Sequence, residues 1–183
     1  MIYDNFFENN HILHVGTESP RAYYIPCDDA SEAMDSFRES SSRFILLNGD
    51  WKFKYFDSVR KISIHYENES CENFDTIPVP SVWQMHGYDH HQYTNIRYPF
   101  PYDPPYVPLD NPCGVYRTEF WIADPESRYY LNFEGVDSCI YLWVNGCFVG
   151  YSQVSHSTSE FDISSYIKEG ENNLTALVLK WCD

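Results

Sequence analysis

The chain has 183 residues, 12 basic and 27 acidic, and a formal net charge of −15 at pH 7. This length fits one domain of about 100–200 residues and excludes a full-size catalytic barrel of about 250. The acidic balance, with no basic run, argues against nucleic acid and against an anionic membrane surface as partners. No apolar stretch approaches the roughly 18 residues of a membrane span, and the first residues do not resemble a signal peptide.

Residues 1–43 show no sustained hydrophobic periodicity and mix Pro, Asp, Glu and Ser. We expect them to form an extended arm that lies on another surface, with a short helix followed by a loop within residues 31–42. Regular structure is predicted from residue 44 onwards, so residues 44–183 are expected to form the folded domain.

Alternation of apolar and polar residues predicts β-strands through most of this domain. Trp51, Phe53 and Tyr55 alternate with polar neighbours, as in a half-buried strand. The Asn145-Gly146 dipeptide between two apolar segments predicts a tight hairpin, because both turn positions need a positive φ. No amphipathic helix of 12 or more residues is present. The fold is therefore predicted to be an all-β sandwich, with further strands at residues 62–66, 115–122, 129–133, 139–144, 148–151 and 174–181.

The six cysteines include no Cys-x-x-Cys pair and occur in strand-like apolar segments. We interpret them as reduced core thiols of a cytoplasmic protein, with a disulfide framework as the less favoured alternative.

Residues 78–112 form a long segment rich in proline and aromatic residues, which is typical of a functional loop rather than of disorder. Its His86, Asp89, His90 and His91 are residue types that bind zinc. No cysteine ligand accompanies them, so a polar loop beside a pocket is the favoured interpretation. Trp83 is predicted to pack in the core, with stacking on the ring of a bound ligand as the alternative.

The strand at residues 174–181 is followed by only two residues, Cys182 and Asp183. We therefore expect the chain to be a fragment of a longer protein.

Several motifs follow one another along the chain: PRAYYIP (20–26), LNGDWKF (47–53), VPSVWQMHGYD (79–89), YTNIRYP (93–99), FEGV (133–136), WVNGCFVGYS (143–152), SEFDI (159–163) and GENNL (170–174). In this order they resemble the N-terminal domain of the β-galactosidases of glycoside hydrolase family 2. The resemblance covers nearly the whole chain. It implies a jelly-roll, sugar-binding domain that precedes the catalytic barrel of the same polypeptide.

The resemblance also implies two substrate-binding residues. Asn95, in the YTNIRYP motif, corresponds to an asparagine that contacts galactosyl hydroxyls. Asp183, in Trp181-Cys182-Asp183, corresponds to the aspartate of a Trp-Ser-Asp motif that binds the sugar and a sodium ion; the middle residue differs here. An amide can satisfy two hydroxyls at once, and a carboxylate is a hard oxygen ligand. Without the motifs, Asn95 would be interpreted as a turn residue and Asp183 as a solvated carboxylate.

The family's catalytic carboxylates lie in the barrel, so no catalytic residue is expected in this chain. The expected function is that of the non-catalytic sugar-binding domain of a retaining β-galactosidase acting on terminal β-D-galactose. Sodium, magnesium and homo-oligomer formation are expected of the intact enzyme, and the fragment is expected to be inactive. The alternatives are a free-standing carbohydrate-binding module, an assembly domain whose arm packs on another subunit, and a β-glucuronidase or β-mannosidase of the same family.

Overall fold

The structure is a computed structural model that describes residues 5–35, 37–62, 70–93, 95 and 97–183. Nine strands and one short α-helix make up most of its regular structure. In chain order they are β1 (His14–Val15), α1 (Ala30–Met34), β2 (Gly49–Phe56), β3 (Asp75–Val79), β4 (Cys113–Ile122), β5 (Tyr130–Phe133), β6 (Cys139–Val144), β7 (Cys147–Gln153), β8 (Ser159–Asp162) and β9 (Gly170–Leu179).

The strands form two sheets, and this confirms the predicted all-β sandwich. Seven antiparallel strands pair in the order β1-β7-β6-β9-β4-β2-β3, while β5 and β8 form a separate two-stranded sheet. The longest ladder joins β4 to β9, with Cys113 opposite Leu179 at one end and Ile122 opposite Gly170 at the other. The end of β9 that leads to residues 180–183 therefore lies beside the beginning of β4.

Most of the predicted strands are present, and the differences have physical reasons. β3 was missed because Pro78 interrupts its pattern; proline is tolerated there because β3 is the edge strand of the sheet. β1 and β8 were also not predicted, since runs of two and four residues carry little periodicity. Most of the strand predicted at residues 62–66 lies outside the described residues.

The predicted hairpin joins β6 to β7. Asn145 has φ 51° and Gly146 has φ 77°, which is the left-handed conformation that such a turn requires. The Asn145 side chain also accepts a hydrogen bond from the backbone N–H of Asn173 at 2.9 Å, which ties the turn to β9.

One face of the large sheet packs against the β5–β8 sheet. The buried side chains of this first core include Phe53, Trp83, Tyr116 and Phe161. Trp51 is also buried there, as predicted, with 4% of its surface exposed.

The opposite face of the same sheet is also buried. Phe7 is 3% exposed and packs with Tyr141, Trp143 and Tyr151 in a second apolar cluster. Both faces of β6 are therefore covered, which explains why all six of its residues are buried. Residues near the N-terminus thus supply part of the cover of this chain's own sheet.

Farther along the arm, residues 14–43 are fixed to the domain by backbone pairing and by ion pairs. His14–Val15 pairs with β7, and the Arg21 guanidinium forms two hydrogen bonds with the Glu160 carboxylate, at 2.8 and 2.7 Å. Glu160, whose side chain is only 11% exposed, therefore joins the arm to β8. The short helix predicted within residues 31–42 is present as α1, which begins one residue earlier, and Asp29 caps it by accepting from two backbone N–H groups.

The cysteines only partly match the prediction of core thiols. All six are free; Cys113 and Cys139 are buried, whereas Cys27 and Cys147 are exposed.

Gly150 allows β1 to approach β7, and its replacement by alanine is expected to separate them. A Cβ atom at this position would lie 2.2 Å from the Val15 carbonyl oxygen and 2.8 Å from Cε1 of Phe161. The backbone oxygen cannot move without breaking the pairing of Val15 with Tyr151. We expect Gly150→Ala to lower the free energy of unfolding by about 1–3 kcal/mol, measured by urea denaturation. Gly135→Ala is the control, since its Cβ would meet only the Cα of His156 at 3.9 Å; an equal loss in both variants would contradict this explanation.

Candidate functional site

The end of β9 meets the long loop that follows β3, and an ion pair joins them. The Lys180 ammonium contacts the Asp89 carboxylate and also donates to the His90 carbonyl oxygen at 3.2 Å. The Lys180 and Asp89 side chains are only 9% and 5% exposed, so both charges are shielded from water.

Burial and two hydrogen-bond partners set the ionisation of Asp89. Burial acts to raise the pKa of its carboxyl, but hydrogen bonds from Lys180 and from the His90 backbone outweigh burial. The pKa of Asp89 consequently lies below its ordinary value, and the residue is a carboxylate at neutral pH. Burial, followed by the charge of Asp89, raises the pKa of Tyr55 to about 12, so that its hydroxyl stays neutral. Asp89 is thus a buried anchor, neutralised by Lys180.

Trp181, the residue after this lysine, is held from two sides. Its backbone exchanges two hydrogen bonds with the side-chain amide of Asn111, at 2.8 and 3.0 Å. Its indole ring packs edge-on against Phe100, with centroids 5.3 Å apart. Phe100 directly follows the YTNIRYP motif, so Trp181 connects that loop to the last residues of the chain.

Asp183 has a backbone partner but an unsatisfied side chain. Its N–H donates to the Phe7 carbonyl oxygen at 3.0 Å. Both carboxylate oxygens are buried, and neither has a hydrogen-bond partner among the described residues. A buried carboxylate without partners is costly, and hydroxyl donors or a hard cation would relieve that cost. A single carboxylate with two unpartnered oxygens is chemically compatible with a sugar hydroxyl or a hard cation such as sodium. Across the described stretches of the chain, no three His, Cys, Asp or Glu side chains gather there as a metal site.

Asn95 is exposed, and the structure does not join it to Asp183. Its amide nitrogen donates to the Tyr93 hydroxyl at 3.1 Å. Its neighbours Thr94 and Ile96 are outside the described residues. The role of both predicted site residues therefore stays a prediction.

A cleft of about 610 Å³ lies between the two segments that carry the predicted residues. This volume is typical of small-molecule sites. Asn95 and Asp183 do not line it, but Lys180 and Trp181 do. Its wall also includes Tyr55, Asp89, His90, Gln92, Pro99 and Phe100.

A second cleft, of about 600 Å³, opens on the first-core face of the sheet and is lined by Trp83 and His156, among others. Trp83 is 4% exposed and packs against Phe53, at 6.3 Å, and Tyr55, at 6.2 Å between centroids. This confirms its predicted place in the core. Its indole nitrogen has no acceptor in the described part of the chain.

The histidines and acids of the loop do not converge on a metal ion in the described ranges. No group of three or more His, Cys, Asp or Glu residues with metal-binding geometry occurs in them. Asp89, the carboxylate of that set, lies instead against Lys180 and His90.

Two residues of this region were not singled out from the sequence. Asn111 and Lys180 stand 70 and 91 residues from the partners they hold, and contacts of that range leave no local pattern. The one local signal is the Asn111-Pro112 dipeptide before a predicted strand. Such a dipeptide indicates a turn and gives no sign of hydrogen bonds to a distant backbone segment.

Within the ranges that the structure describes, we find no helix long and apolar enough to cross a bilayer.

Comparisons with known proteins place this geometry in a family. Residues 44–183 match the family model described as "Glycosyl hydrolases family 2, sugar binding domain". The whole chain is similar to a β-galactosidase of Actinobacillus pleuropneumoniae, at 51% identity over 183 residues, and to one of Staphylococcus xylosus, at 48% over 187. The chain spans 18% of the length of each of these relatives.

Solved structures resemble the fold at lower identity. A β-glucuronidase from an uncultured Clostridium species matches with a TM-score of 0.54 and 22% identity, covering 72% of this chain and 21% of that one. One from Ruminococcus gnavus matches with a TM-score of 0.55 and 21% identity, covering 72% and 21%. The matched family model covers the larger part of the chain, so the chain belongs to the sugar-binding domain of glycosyl hydrolases family 2.

Proposed function

We propose that this chain serves as the N-terminal sugar-binding domain of a retaining β-galactosidase that hydrolyses terminal, non-reducing β-D-galactose residues. The observation that carries the proposal is the 51% identity, over the full 183 residues, to a protein named β-galactosidase. The glucuronidases that resemble the fold do so at 18–22% identity, which supports a shared fold and no choice of substrate.

In this proposal Asp183 and Asn95 bind the galactosyl group. The buried carboxylate of Asp183 has both oxygens free to accept from sugar hydroxyls. The Asn95 amide is exposed and can both donate and accept. Sodium, when bound, would supply positive charge beside the Asp183 carboxylate. The two carboxyl groups of a retaining mechanism, about 5–5.5 Å apart, would belong to the rest of the enzyme.

We also propose a cytoplasmic location. The six free cysteines support it, because a reducing compartment keeps thiols unpaired.

The test uses the full-length enzyme that carries this chain, with an aryl β-galactoside as substrate. We expect Asp183→Asn to lower kcat/KM roughly 10- to 100-fold, since a hydrogen bond to a charged group contributes about 1.5–3 kcal/mol. Asn95→Ala should lower it about 3- to 10-fold, as expected for a neutral hydrogen bond. The exposed residues Asp50 and Asn10 supply the controls Asp50→Asn and Asn10→Ala, which should leave kcat/KM unchanged.

Equal effects in the site and control variants would contradict the assignment of Asn95 and Asp183. A wild-type enzyme that hydrolyses β-glucuronides and not β-galactosides would overturn the proposed substrate. The 183-residue chain alone should bind galactose at millimolar concentration or not at all in titration calorimetry, with or without sodium. Micromolar binding that depends on Asn95 would instead identify a free-standing carbohydrate-binding module.

A further inference from the structure

Asn111 is a fully buried polar residue (0% exposed) in the turn that leads into β4. Its side-chain amide donates to the Trp181 carbonyl oxygen at 2.8 Å and accepts from the Trp181 N–H at 3.0 Å. Its own carbonyl oxygen accepts from the N–H of Val59 at 2.8 Å. A buried amide with its partners this well placed fixes the backbone of Trp181 in one position.

The neighbouring proline explains why a side chain is needed at this point. The β4–β9 ladder ends where Cys113 faces Leu179, and the Lys180 N–H then donates to the Pro112 carbonyl oxygen at 2.9 Å. Pro112 has no N–H to return, so the backbone cannot continue the ladder by itself. The Lys180 carbonyl oxygen, left without a backbone donor, accepts from the Ser138 hydroxyl at 2.8 Å. At the next residue the Asn111 side-chain amide supplies both a donor and an acceptor to the Trp181 backbone. It thereby extends the pairing of β9 by two residues, to Trp181.

Trp181 is two residues before Asp183, whose buried carboxylate oxygens have no partner among the described residues. We propose that Asn111 is a positioning residue: it holds the backbone of Trp181 so that the Asp183 carboxylate stands where the sugar requires it. This inference rests on the proposed function, in which Asp183 binds galactose. Asn111 itself is not expected to touch the substrate.

A purely structural role must be separated from a positioning role, and the chain offers a matched control. Asn172 is 1% exposed and also uses its amide to hold backbone, with hydrogen bonds to Lys168 and Gly170 at 2.8–3.0 Å. It lies at the opposite end of β9. The nine residue-to-residue steps from Asn172 to Trp181 span about 30 Å of extended chain. Loss of either amide should destabilise the fold, but only Asn111 holds the backbone of a residue two positions from Asp183.

The experiment compares Asn111→Asp and Asn172→Asp in the full-length enzyme. Each change keeps the shape of the side chain but replaces its N–H donors by an oxygen that repels the facing carbonyl. We measure Tm, kcat, KM for an aryl β-galactoside and the inhibition constant of galactose, all at a temperature well below Tm. Asn111→Ser and Asn172→Ser form a milder second pair, in case an aspartate variant does not fold.

We expect both variants of a pair to lower Tm. Only the Asn111 variant should raise the inhibition constant of galactose and lower kcat/KM, each by tenfold or more. The Asn172 variant should stay within twofold of wild type in both. Equal kinetic constants in the two variants, with a fully active wild type, would overturn the positioning role and leave the proposed function intact. A wild type without galactoside hydrolysis would overturn the proposed function, and the inference with it.

Discussion

Replacing Phe53 by alanine is expected to lower the free energy of unfolding by about 3–5 kcal/mol. Phe53 is fully buried, and its ring centroid lies 4.7 Å from that of Tyr116 and 5.0 Å from that of Tyr88. The backbone of Gly114 lies so close to the ring that a Cβ atom there would be 2.4 Å from Cε2 of Phe53. The packing is close on all of these sides, so the cavity cannot collapse without moving a strand.

The measurement is chemical denaturation, with the exposed Phe37 as the control. Phe37 is 69% exposed, so Phe37→Ala should change the unfolding free energy by no more than about 0.5 kcal/mol. Phe53 also contacts Tyr88, the residue before Asp89, which pairs with Lys180. Phe53→Ala should therefore also weaken the attachment of the loop to Lys180. A loss below about 1 kcal/mol would mean that the Phe53 cluster is looser than described.

The second large effect is expected at the buried ion pair. Asp89→Asn removes the negative charge and leaves the Lys180 ammonium shielded from water beside neutral acceptors, the new amide oxygen and the His90 carbonyl oxygen at 3.2 Å. Breaking a buried pair from one side costs about 3–5 kcal/mol, because the other charge stays buried. We expect a loss of this order in the unfolding free energy, together with reduced sugar affinity of the full enzyme, since Lys180 adjoins Trp181.

Asp57→Asn is the matched control. Asp57 also pairs with a lysine, Lys61 at 2.6 Å, but both side chains are more than 60% exposed. That exchange should cost no more than about 1 kcal/mol. Comparable losses of unfolding free energy in the two variants would show that burial does not make the Asp89–Lys180 pair more costly to break than an exposed pair.

The pH dependence gives an independent check on Asp89. The pKa of Asp89 is lowered in the folded state, so its contribution to folding stability is complete above the unfolded-state pKa of about 3.9. The contribution is lost as pH falls from there through the lower folded-state pKa. The stability difference between wild type and Asp89→Asn should therefore be constant from pH 5 to 8 and shrink below about pH 4. A difference that shrinks already near pH 6 would point to another titrating group.

The strands that could be predicted from the sequence are those in which each side chain lies on a clearly buried or clearly exposed face. Trp51 and Phe53 alternate because β2 has one buried and one more open face. β6 is a continuous apolar run because both of its faces are covered. β3 escaped prediction because Pro78 is permitted only by its edge position, which is a property of the whole sheet.

The candidate site was predictable to a smaller extent. Asn95 and Asp183 were identified through motifs, not through local periodicity, and the structure adds the unpartnered carboxylate oxygens of Asp183. Asn111 and Lys180 were missed because their roles depend on which distant segments the fold brings together. An asparagine before a proline and a lysine after a strand are ordinary in isolation.

The cover of the second core has a consequence for the order of folding. Phe7 packs beside Tyr141, a residue 134 positions later in the sequence. The carbonyl oxygen of Phe7 accepts a hydrogen bond from the N–H of Asp183. Closing so long a loop is entropically unfavourable until the intervening chain is compact. During synthesis the ring of Phe7 must therefore wait, exposed, until β6, β7 and β9 have emerged and paired. Phe7 is synthesised before these strands but docks after they have paired, and the backbone contact of Asp183 is completed only at that step.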